Sequence, residues 1–145
     1  MKQAIRGLLG LLAVAGAAVP CVAQTQAPVP LAARLAGNTL SAVAYVPWRP
    51  GLPGGGELAR LMLQAYLRAD GWAEVRVWDP AHDSYTVPVE RHWTLDADRL
   101  CIDLPTGLLC AAVHVWGPRI AGVGTKPYAM LDGDLQPGNT ISHGR

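Results

Sequence analysis

The stretch Arg99–Trp116 constrains this chain more than any other. Leu100, Ile102 and Leu104 alternate with Arg99, Cys101 and Asp103. Further on, Leu109, Ala111, Val113 and Val115 alternate with Cys110, Ala112, His114 and Trp116. A period of two marks strands that bury one face. Between the runs, Pro105 presets φ for a turn and Gly107 can take a positive φ. Two such strands across a tight turn make a hairpin with one apolar face, which needs further strands to cover it. With Pro105 and Thr106 as the loop, Leu104 faces Gly107, and counting outward sets Cys101 opposite Cys110 in a non-hydrogen-bonded pair. A bulge at Gly107 would shift the register by one and set the cysteines diagonally; a bridge remains feasible in both cases.

The rest of the chain repeats this grammar. Asn38–Val46 is the first strand candidate. Residues 47–57, with three prolines and four glycines, read as a long loop. They lack the strand–loop–helix setting and the Gly-Lys-Ser/Thr ending of a phosphate-binding loop. Residues 57–79 support two readings. Leu58, Leu61, Met62, Ala65 and Tyr66 have helical spacing, with Gly71 as a cap. Asp70-Gly71 is also the preferred two-residue hairpin turn, and residues 72–78 are strand-like. The hairpin, from about Met62 to Asp79, is preferred, with a short helix over 57–69 as the alternative. Residues 79–85 are turn-rich. Val89, Arg91, Trp93 and Leu95 share one side of a strand, and Asp96-Ala97-Asp98 turns it into the cysteine hairpin. Residues 117–124 read as a loop or short strand, and Asp132-Gly133 as another hairpin turn. Turn signals about every ten residues predict a mainly β domain: a small antiparallel meander of 7–8 strands, closed as a barrel or curled as a sandwich.

The first residues set the compartment. Lys2 and Arg6 precede an uncharged apolar run, Gly7–Val19, and Cys21-Val22-Ala23 offers small residues for cleavage after Ala23. This is the pattern of a signal peptide. The run is shorter than the roughly 20 residues of a membrane span. Pro20 before Cys21 departs from a lipid-attachment site. The expected organisation is a signal peptide over 1–23, a flexible Pro- and Ala-rich lead-in over 24–34 and a single β-rich domain over 35–145. Cleavage removes two of twelve basic residues and none of eleven acidic ones, leaving a net charge of −1. That balance gives no electrostatic footprint for nucleic acid or an anionic membrane surface, and no later segment is apolar enough to span a bilayer. The expected location is periplasmic or secreted. There, Cys101 and Cys110 read as a structural disulfide. Their spacing fits neither a zinc site nor a CxxC redox pair.

Catalytic chemistry is sparse. Asp79, His82, Asp83 and Ser84 form the densest polar cluster, but neighbours in one loop seldom converge as a catalytic triad does, and Asp and Ser are common turn residues. His82, His92 and His114 lack the spacing of a metal motif, and His92 and His114 fall on strands separated by a third. No catalytic, metal-binding or cofactor-binding residue is assigned. The five tryptophans read mainly as core; Trp72, Trp78 and Trp93 are the candidates for lining an apolar pocket.

Leu35-Ala36-Gly37-Asn38-Thr39 (L-x-G-N-T), the Asp-Gly turn, Trp93 to Cys101 (W-x-x-x-x-D-x-L-C), the second cysteine and Leu135 to Asn139 (L-x-P-G-N) occur in an order that resembles a group of small exported bacterial proteins of unknown function, the DUF995-like proteins. The resemblance covers about 35–140 and departs at residues 47–56. It implies a small β-barrel stabilised by the hairpin cysteines and carries no catalytic residues. The expected function is a non-enzymatic exported barrel binding a small ligand or a protein partner. The alternative is a periplasmic hydrolase inhibitor that inserts its Pro-Gly loop or an N-terminal arm into a target, and an enzyme is the third reading. Intact-mass measurement of the exported protein is expected to show a chain beginning at Gln24; the full mass, or acyl chains on Cys21, would count against the leader reading.

Overall fold

The structure is a computed structural model and describes residues 28–47, 58–124 and 130–141. The leader over 1–23, Trp48 with the rest of the Pro-Gly loop over 48–57, and His143 lie outside the described residues. A short helix, α1 (Leu31–Leu35), precedes nine strands: β1 (Asn38–Pro47), β2 (Leu58–Leu67), β3 (Trp72–Asp79), β4 (Ser84–Tyr85), β5 (Val89–Asp96), β6 (Arg99–Leu104), β7 (Gly107–Trp116), β8 (Arg119–Val123) and β9 (Met130–Pro137). All strand pairings are antiparallel, and successive strands pair along the chain, with β3 joining β5 past the two-residue β4. The last strand, β9, returns to pair with β1. Eight strands thereby close an up-and-down barrel, with β4 added on the end of β3. Closure removes the open edges that a meander of this length would otherwise expose.

Alternation divides each strand between lumen and outer wall. Leu40, Leu63, Leu67, Val75, Ile102 and Ile120 are among the fully buried lumen residues. Leu104 faces Gly107, and Cys101 faces Cys110, so Pro105-Thr106 is the whole loop and the register has no bulge.

Two turn readings need correction, and so do the helix alternative and the lead-in. Residues 58–69 hold no helix, because Leu61, Leu63, Ala65 and Leu67 face the lumen as a strand. Met62 and Tyr66 on the outer wall complete an accidental helical spacing. The β2–β3 loop is one residue longer than an Asp-Gly turn: Arg68 N–H donates to Trp72 O at 2.8 Å, leaving Ala69, Asp70 and Gly71 as the loop. Gly71 has φ +86°, as a three-residue hairpin with a glycine bulge requires. Asp132-Gly133 is no turn, since both lie inside β9. A Cβ on Gly133 would collide with Ser41 O and come within 2.6 Å of the Ala42 Cβ, so the glycine admits close approach of β1 rather than reversing the chain. Of the lead-in, residues 28–30 carry no regular structure and Leu31–Leu35 is helical, with Leu35 buried against the barrel.

The two ends of the domain are tied to each other. Thr39, with 0% exposure, donates its hydroxyl to Gly138 O at 2.7 Å and accepts Thr140 N–H at 3.0 Å. Asn38 Nδ2 donates to Arg34 O at 2.8 Å, and Asn139 Oδ1 accepts Ile141 N–H at 3.0 Å. The segments Gly37-Asn38-Thr39 and Gly138-Asn139-Thr140 thus form a clamp where β1 begins and β9 ends. Thr39→Val keeps the shape and removes both hydrogen bonds to the returning tail, so it is expected to cost about 1–2 kcal/mol. Urea unfolding checks this; an unchanged midpoint would remove the clamp from the account.

Candidate functional site

Cys101 and Cys110 form a disulfide on the outer wall, with Cα atoms 4.1 Å apart, a separation that suits a non-hydrogen-bonded pair. The bridge ties two strands already paired in the hairpin.

The tryptophans named as pocket candidates do not converge. Trp93 points into the lumen, is buried, and donates Nε1–H to Arg68 O at 2.8 Å. Trp72 lies on the outer wall, its ring centroid 3.7 Å from that of His92. Trp78, also on β3, meets Tyr85 edge-on at 5.3 Å, and Arg76 lies 4.8 Å from the Tyr85 ring centroid. These contacts fix the β3–β4 corner.

The polar loop after β3 does turn chemistry. Asp79 Oδ1 accepts Ala81 N–H at 2.9 Å, and Asp79 Oδ2 lies 2.6 Å from His82 Nδ1. Those hydrogen bonds, His82 first and Ala81 next, hold the Asp79 carboxyl below its usual range. His92 on β5 and His114 on β7 are exposed, with β6 between them. Among the described residues no three His, Cys, Asp or Glu side chains gather to hold a metal ion.

A groove of about 860 Å³ opens on the outer wall instead. Its floor follows from register. Tyr45 pairs with Met130, Met130 with Val123, and Val123 with Ala112, forming an apolar row across β1, β9, β8 and β7. The next row runs Asp132, Ala121, His114. Val29 and Leu31 of the lead-in line the same groove. Val123 and Met130 are 63% and 48% exposed, so large apolar side chains meet water here. Arg34 at the border donates to Val115 O at 2.6 Å and to Gly117 O at 2.9 Å, while Asp132 is held by Arg119 at 2.7 Å. Charges tied in this way border the apolar floor.

Sequence reading missed this groove. Alternation shows that Val123 and Met130 leave the core, but their union with Tyr45 depends on the β1–β9 pairing between distant segments. The available signal was the presence of apolar residues at outward positions of neighbouring strands.

The fold is that of a small closed antiparallel barrel with a side-chain-filled lumen and an apolar groove outside. No family model, curated protein or solved structure matches the chain. Replacing both cysteines with serine is expected to lower stability by about 2–3 kcal/mol, from the short loop that the bridge closes. Chemical unfolding with and without reductant measures it; no difference would mean that the hairpin needs no staple.

Proposed function

We propose that this is an exported, non-enzymatic binding protein whose contact surface is the outer-wall groove, taking an apolar small ligand or an apolar side chain of a partner. The observation that carries the reading is the continuous apolar row Tyr45–Met130–Val123–Ala112, open to water beside the lead-in. Contiguous exposed apolar surface on a small domain is a mark of an interaction site. Export is supported by the leader pattern and by the Cys101–Cys110 bridge, which belongs to an oxidising compartment. The resemblance to small exported bacterial proteins points the same way.

The hydrolase-inhibitor reading has its own support. Val87 and Leu108, 81% and 68% exposed, lie at the end of the barrel where the Pro-Gly loop joins β1 to β2. An apolar rim there suits end-on insertion into a cleft.

Nile red, a neutral apolar dye, tests the groove directly. Ala121→Arg and Val123→Asp put charge on its floor and are expected to weaken dye binding about tenfold, equivalent to 1.4 kcal/mol. As outward substitutions they should shift stability by about 0.5 kcal/mol or less. Undiminished binding by both folded variants would overturn the groove; loss of a partner's inhibition after Leu108→Asp alone would favour the inhibitor.

A further inference from the structure

Arg91 stands in an unexpected place. It pairs with Ala73, and Val89 with Val75, so it shares the lumen-facing side of β5 with Val89, Trp93 and Leu95. Every one of those neighbours is apolar. The Arg91 Nε is buried and has no hydrogen-bond partner. Among the described residues no hydrogen bond or ion pair reaches its guanidinium. The residue as a whole is half-buried, and among the described residues Nε is the one buried side-chain polar atom without a partner. The unbonded Nη1 and Nη2 are therefore the atoms that meet water.

A guanidinium in apolar surroundings with no counter-charge costs stability. The same surroundings strengthen its attraction for an anion, because the effective dielectric falls and half of its hydration is already gone. Two Nη groups side by side present an end-on fork that fits two oxygens of a carboxylate or phosphate. We propose that Arg91 is the anchoring cation of a small oxyanion site on the lumen-facing side of β5, where its Nη groups reach water, distinct from the outer groove and independent of what the groove holds. The anion supplies the missing counter-charge and takes its hydrogen bonds from Nη1 and Nη2.

The test is thermal melting of the mature chain in sodium phosphate, sodium acetate and sodium chloride at equal ionic strength. Phosphate or acetate is expected to raise the Tm saturably over chloride, as one-site binding does; whichever of the two acts identifies the oxyanion as phosphate-like or carboxylate-like. Arg91→Met is expected to melt above the wild type in chloride and to lose the anion-specific increment. Arg91→Lys, which keeps the charge without the fork, is expected to retain a smaller one. A Tm that climbs linearly with phosphate in wild type and Arg91→Met alike is salt exclusion and overturns the site. So does the absence of any saturable effect in the wild type. If Arg91→Met does not fold, saturation in the wild type and its reduction in Arg91→Lys decide the matter: both support the site, and failure of either removes it.

Discussion

The barrel depends on the meeting of β1 and β9. Every other ladder joins strands close in sequence, whereas this one joins Thr39 to Gln136 and Tyr45 to Met130. It brings Gly133 close enough to Ala42 that a side chain would be excluded, and it is finished by Thr39, whose buried hydroxyl satisfies two main-chain groups of the returning tail. Without that pairing the meander would keep two long edges open to water. Closure also makes the outer groove, since its row of Tyr45 and Met130 exists only once the ends meet.

The core and the surface divide the work differently from many small barrels. The lumen is occupied by Leu, Ile, Val and Ala side chains and Trp93, which give the domain its stability, and the groove lies outside. Several charged residues on the wall are engaged with one another: Arg119 with Asp132 and Asp134, Arg68 with Asp70 and Glu90. Exposed pairs of this kind add little stability. They do leave the apolar row conspicuous beside them.

Much of the fold was legible because period-two alternation is a local signal. The cysteine hairpin could be narrowed to two registers from Pro105 and Gly107, of which the structure has the one without a bulge, and Val89, Arg91, Trp93 and Leu95 could be placed on one side of β5. Local signals failed where a residue answered to a distant strand. Gly133 follows an aspartate, as in a hairpin turn, yet its smallness serves β1. Met62 and Tyr66 lent β2 a helical spacing that only the outer wall explains. The L-x-G-N-T and L-x-P-G-N segments stood out as a pattern, but their meeting as a clamp depends on contacts across about a hundred residues. The candidate site was hidden for the same reason: the tryptophans suggested a pocket, while the groove is assembled from single residues on four strands.

The clamp also governs the order in which the molecule can come into being. Thr39 bonds to Gly138 across a separation of 99 residues, so the defining contact of the fold cannot form until almost the whole chain is present. Long-range closure of this kind is slow, because the entropy of a large loop is lost before the contact is gained. The cysteine hairpin, with its ends nine residues apart, has no such delay. A nascent chain would therefore carry a formed hairpin within an otherwise open ribbon until β9 arrives, and if the chain is exported as proposed, a barrel that cannot close early suits a polypeptide threaded through a translocation pore before it folds.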